Sequence, residues 1–185
     1  MEADIIDTLY EENKKLLAYL TEQKEITSIS NVDNHFRKVL LLSAASYFES
    51  LIKNDIIVFI QNYTKSANLI LEFIKNKAVE RQYHTYFSWS SRNANSFFGL
   101  FGSDFREYMA KEIKASPELK DAISAFMELG ELRNNLVHQN FAIFPLEKTA
   151  EEIYQLYVKA RLFVKMFPDK LKKFAESETA SEETD

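Results

Sequence analysis

The first glycine of this chain is residue 99 and the first proline is residue 117. A β-sandwich, a barrel or a Gly-loop nucleotide fold turns repeatedly through positive φ. Three glycines in 185 residues cannot supply those turns. A glycine-rich phosphate cradle is excluded on the same count. The chain is nevertheless 46% hydrophobic and 28% charged, which is the balance of a globular protein with a sizeable core. It has no cysteine, so disulfide frameworks, thiolate zinc sites and cysteine nucleophiles are all excluded. A reducing cytosol fits that composition.

The formal charge of −5 argues at first against a nucleic-acid partner. It sits at the two ends. Residues 176–185 hold five acids and no base, and residues 1–27 hold seven acids against three bases. The intervening 28–175 is therefore mildly positive, at +4. The terminal ESETASEETD has no apolar periodicity and reads as a disordered, solubilising tail behind a single domain over 1–175. No secretory signal is visible in the acidic N-terminus. The most apolar stretch, 39–60, contains Glu49, Lys53, Asn54 and Asp55 and reads as a buried helix rather than a membrane span. A soluble, cytoplasmic protein is expected.

Apolar periodicity predicts an all-α bundle of about five to seven helices. A first helix is expected over 4–24 and a long second over 34–63, separated by the polar TSISNVDN, with Asn31 or Asp33 as its N-cap. A third follows over 66–81. Residues 82–102 are rich in aromatics, Ser and Asn, and read as an ordered loop with one short helix. Asp104 with Glu107 resembles a capping box for a helix over 105–114. Ser116-Pro117-Glu118 is a stronger start signal, for a helix running to about 139. Within it Gly130 marks a point of close packing. Thr149 with Glu152 caps a last long helix, which Pro168 is expected to end before a short piece over 169–175.

Three histidines, His35, His84 and His138, show no ligand spacing, so no metal centre and no cofactor is expected. The informative segment is Arg133-Asn134-Asn135-Leu136-Val137-His138. Asn134 and His138 are four apart and share a helix face. Arg133 and His138 are five apart, about 140° around the axis, and flank Asn134. This polar set lies beside the stripe led by Leu129, Leu132 and Leu136. On spacing alone the plainer reading is a solvent-facing Arg–Asn pair with a histidine that helps to terminate the helix.

RNNLVH resembles the R-x4-6-H signature of the HEPN superfamily, in which a polar residue directly follows the arginine. The long upstream helix, HFRKVLLLSAASYFESLIKNDI, is similar to the early helix of the RiboL-PSP-like and MAE-like branches. The resemblance covers residues 30–167. It implies an all-α domain, a homodimer, and a composite cleft in which Arg133, Asn134 and His138 of two copies cut RNA without a metal. It also implies a toxin or anti-phage defence effector held by an antitoxin or regulatory protein. In one toxin branch a tyrosine stands two residues after the histidine; here that position is Asn140, so control through that tyrosine is not implied.

Glu49 falls where those branches carry an acid. It reads either as a half-buried partner of Arg133 or as a surface acid. Arg37 and Lys38 read either as RNA-phosphate contacts or as the solvated start of their helix. Tyr83, Tyr86, Phe87 and Trp89, with Arg81 and Arg92, read either as a base-stacking surface or as a lid or dimer contact. Two functional readings follow from the family: a metal-independent endoribonuclease, or a HEPN-fold module that dimerises or binds a partner without catalysis. A third, outside the family, is an unrelated helical interaction domain.

Overall fold

The computed structural model describes residues 4–64 and 68–182. The described residues form eight α-helices and contain no strand. In chain order they are α1 (Ile5–Glu22), α2 (Ile26–Tyr63), α3 (Asn68–Ile74), α4 (Tyr83–Tyr86), α5 (Asn95–Gly99), α6 (Ser103–Ala115), α7 (Pro117–His138) and α8 (Ala150–Glu182). A π-helical turn, Lys75–Val79, continues α3. The all-α expectation holds. Both α4 and α5 are single turns inside the aromatic segment, where one short helix was expected.

Three long helices, α2, α7 and α8, build the centre of the core. Their inward faces meet through aromatic rings. Phe48 of α2 stacks on Tyr157 of α8 at 5.0 Å between centroids, and Phe126 of α7 meets Phe163 of α8 edge-on at 5.1 Å. Offset and edge-to-face pairs of this kind add about 0.5–1.5 kcal/mol each beyond their buried area. Along α7 the expected stripe is inside: Ala122, Phe126, Leu129 and Leu136 are buried, and Leu132 packs against them. On α3, by contrast, the apolar Leu69, Ile70 and Phe73 stay exposed.

Several boundaries differ from the sequence reading, each for a local reason. The break after α1 is made by Lys24, which takes the left-handed conformation at φ 60. With no glycine available, a lysine fills the position that usually ends a helix. TSISNVDN is therefore helical and belongs to α2, which has no side-chain cap. The expected start of the third helix at residue 66 lies outside the described residues. Gly102, at φ 105, precedes α6, and Asp104 sits inside its first turn rather than capping it. Pro168 does not end α8. Its missing N–H and ring clash cost about 3 kcal/mol in a helix interior. The buried Phe167 and Leu171 lie on either side of it, and Phe174 packs on Phe105 and Tyr108. Burial of such side chains returns about 1.5–3 kcal/mol each, enough to carry the helix through. It reaches Glu182, so residues 176–182 are helical where a disordered tail was expected; 183–185 lie outside the described residues.

Two caps agree with the sequence. The Ser116 hydroxyl accepts from the backbone N–H of Leu119 with Pro117 in the first turn. Glu152 accepts from the Thr149 N–H, while the Glu152 N–H donates to the Thr149 hydroxyl. These caps fix the starts of α7 and α8, and so the position of everything α7 presents at its far end.

Candidate active site

The C-terminal half of α7 forms one wall of a cleft of about 350 Å³, within the usual range of small-ligand sites. Arg133, Asn134 and His138 all line it. Asn134 and His138 stand one above the other on α7, as their spacing requires. Arg133 swings round to them: its Nη1 donates to Asn134 Oδ1 at 3.1 Å. That leaves the Asn134 NH2 group free to donate into the cleft. Leu136 faces the opposite way and is fully buried, which holds this end of α7 in register.

Glu49 of α2 lines the same cleft, and its Oε2 lies 4.0 Å from Arg133 Nη2. Both side chains are about one-third exposed, so the pair is loose and wet rather than a buried bridge. Beneath them Tyr83 is nearly buried. Burial holds its hydroxyl well above its ordinary pKa, with the Glu49 charge adding to the rise and Arg133 opposing it. That hydroxyl therefore stays protonated throughout the physiological range. His138 is the last residue of α7 and is exposed. Its ring makes no hydrogen bond among the described residues, so it does not bond the last carbonyls of the helix.

Arg37 and Lys38 are not part of this cleft. The Lys38 ammonium is buried, at 2% exposure, and donates to the carbonyl oxygens of Phe141 and Ala142 at 2.7 and 3.4 Å. Arg37 donates to the carbonyls of Leu146 and Lys148 and pairs with Asp33 at 3.1 Å. Both tie the start of α2 to the connection between α7 and α8. Neither is presented to a phosphate.

The aromatic segment is divided. Tyr83, Tyr86 and Phe87 are core residues whose rings offer no open base-stacking surface, and Arg92, itself exposed, is paired with Glu128 at 2.7 Å. Trp89 is half-buried and lines the cleft, seated on α7 at Gly130. A Cβ at residue 130 would lie 1.9 Å from Cζ3 of the indole. The close packing expected at Gly130 is thus a glycine–tryptophan seat. Three further residues of this region line the cleft, Arg81, Tyr83 and His84. Sequence spacing gave no signal for His84, because only the tertiary fold brings it to α7.

Among the described residues no group of three His, Asp or Glu side chains gathers as a metal site, and no helix is long and apolar enough to cross a membrane.

Against this geometry the comparison of families is decisive. The family model for RiboL-PSP-HEPN matches residues 7–173. The chain belongs to the RiboL-PSP-HEPN family. No curated protein and no solved structure was found to match it. In this HEPN domain the match takes in α2, which carries Glu49, and α7, which carries Arg133, Asn134 and His138.

Proposed function

We propose that this HEPN domain is a metal-independent endoribonuclease whose active site is the cleft at the end of α7. The observation that carries this reading is the convergence there of Arg133, Asn134 and His138 with an unbonded imidazole. RNA brings its own nucleophile, the 2′-OH next to each phosphodiester. A neutral imidazole at His138 takes that proton or, as imidazolium, protonates the leaving 5′-oxygen; histidine titrates near working pH and suits either role. Arg133 is always charged and pairs with the phosphoryl oxygens as negative charge builds. Asn134 holds the guanidinium through its Oδ1 and donates its NH2 to the phosphate. Glu49 steadies Arg133 from the other side. The products are a 2′,3′-cyclic phosphate and a 5′-hydroxyl.

The protein works as a homodimer in this reading, with Arg133, Asn134 and His138 of both copies meeting in a composite cleft and the second copy covering the apolar rim beside the motif. Val137, Phe141 and Ile143 are exposed there, at 45%, 40% and 78%. Cleavage of RNA in the protein's own cytoplasm fits a toxin or defence effector, held off by an antitoxin or regulatory protein until needed. The substrate is engaged by a local cleft rather than by a broad basic face, since the net charge of 28–175 is only +4.

The test is cleavage of structured RNA in EDTA by the full chain and by His138→Ala. Loss of a proton-transfer group costs about 10²–10⁴-fold in rate. Equal absence of cutting by both proteins would instead favour a non-catalytic HEPN module.

A further inference from the structure

The chain has three histidines. His35 lies on the outer face of α2, with its Nδ1 2.7 Å from the Asn31 carbonyl oxygen. The other two, His84 and His138, come from unrelated elements and line one cleft. Each brings an arginine: Arg133 with His138, and Arg81 with His84.

The segment that carries Arg81 and His84 is held at both ends. The π-helical turn stops at Val79, and Glu80, extended at ψ 131, is tied to Lys53 of α2 at 3.1 Å. Arg81 then takes the left-handed conformation at φ 62. A non-glycine residue persists there only where its surroundings over-determine it, and such residues cluster at functional sites. The reversal starts α4 at Tyr83, whose ring is buried against Phe87 and Trp89. The Trp89 indole N–H donates to the His84 carbonyl at 3.1 Å, and Trp89 itself sits on Gly130 of α7. The backbone of His84 is thereby fixed to the helix that carries the motif. Its ring is exposed and makes no hydrogen bond among the described residues.

We propose that His84 is a further proton-transfer group of this cleft and Arg81 a further phosphate-binding cation, so that each protomer brings a second Arg–His set to the composite site. The proposal rests on the ribonuclease reading above. In the step, one neutral imidazole takes the 2′-OH proton as the O2′–P bond forms. The P–O5′ bond breaks, and the other imidazole, entering as imidazolium, delivers its proton to the leaving oxygen. Proton exchange with water resets both rings, and no oxidant, reductant or co-substrate is needed. The balance closes with either histidine in either role. Charged and titratable groups that line the cleft with His84 are Arg81 and Tyr83 from its own segment, Glu49 from α2, and Arg133 and His138 from α7. The Tyr83 hydroxyl, held protonated by burial, does not compete for the proton.

The experiment measures kcat/KM of the full chain on a labelled single-stranded RNA oligonucleotide of mixed sequence, in EDTA, from about pH 5 to 9. The wild type gives a bell-shaped profile. His84→Ala loses about 10²-fold or more and one limb of the bell, and added free imidazole recovers part of the rate. Arg81→Ala acts mainly by raising KM. Emission of Trp89 and the thermal midpoint report whether the variants fold alike, and His84→Gln keeps the side chain's bulk without its proton. If His84→Ala cuts within about threefold of wild type with both limbs intact, the inference is overturned, while an inactive His138→Ala leaves the ribonuclease reading standing. Recovery of activity in His84→Gln would assign His84 a structural role and overturn it equally. A wild type that cuts no RNA overturns the reading itself and the inference with it.

Discussion

Substituting Gly130 by Ala isolates the contact that joins the aromatic segment to the motif helix. The added methyl would stand 1.9 Å from Trp89 Cζ3 and 2.1 Å from Cε3, far inside van der Waals contact. Helix α7 is anchored by buried side chains on both sides of residue 130, so the indole must leave its seat. Trp89 then loses its hydrogen bond to the His84 carbonyl, about 1 kcal/mol, and its ring contacts with Phe87 and Phe126. Overpacking of this kind costs about 1–3 kcal/mol, and the helix gains about 1 kcal/mol from replacing glycine with alanine. With the hydrogen bond counted, a net loss of about 1–3 kcal/mol lowers Tm by about 2–12 °C in a chain of this size. Trp89 is the only tryptophan, so its fluorescence reports the displacement directly, as a red shift toward the emission of an exposed indole. In a Trp89→Ala background the clash is gone, and Gly130→Ala should stabilise by about 1 kcal/mol on helix propensity alone. This reversal of sign is the signature of the seat. An unchanged Tm and unchanged emission for Gly130→Ala, or the same sign in both backgrounds, would refute the reasoning.

Three other perturbations test the surroundings. Lys38→Met leaves the Phe141 and Ala142 carbonyls without their buried donor and should destabilise by about 1–3 kcal/mol in urea unfolding, with no dependence on added salt. Asp4 caps α1 and accepts from Tyr157 and Arg161; burial pushes its carboxyl up, but Tyr157, the Asp7 N–H and Arg161 together hold it below the ordinary carboxylate range. Its depressed folded pKa means that its contribution is full above about pH 4 and is lost as pH falls through the folded value; the stability difference between wild type and Asp4→Asn should shrink there. Asp55 on α2 is pushed up to about 6 by burial. Its ionisation therefore works against folding from above the unfolded carboxylate value of about 4 and to the full extent above about 6, so Asp55→Asn should raise Tm much more at pH 8 than at pH 4.

The helical class was legible because glycine and proline are nearly absent, and local chemistry placed the caps at Ser116 and Thr149. Gly130 was legible as a packing point, though nothing in the sequence named Trp89 as its partner. What failed were positions where tertiary packing overrode a local signal. Lys24 took a left-handed turn without glycine, TSISNVDN stayed helical, and buried Phe167 and Leu171 carried α8 through Pro168. In the site, Arg133, Asn134 and His138 were found together because they share one helix. Glu49 could be placed near them only through the family resemblance. Arg37 and Lys38 carry the charge of phosphate ligands, but their donors are taken up by the carbonyls of residues 141–148, which a basic dipeptide cannot announce. Arg81 and His84 reach the cleft through a strained turn and a ring contact, neither of which has a sequence period.

The central claim is that the cleft at the end of α7 cuts RNA through His138. Its most direct test is to incubate the wild-type chain and His138→Ala with RNA in EDTA and assay the ends for 2′,3′-cyclic phosphate. The account predicts cyclic-phosphate ends from the wild type and a loss of about 10²-fold or more in the variant. Equal cutting by both proteins, or none by the wild type, would contradict it.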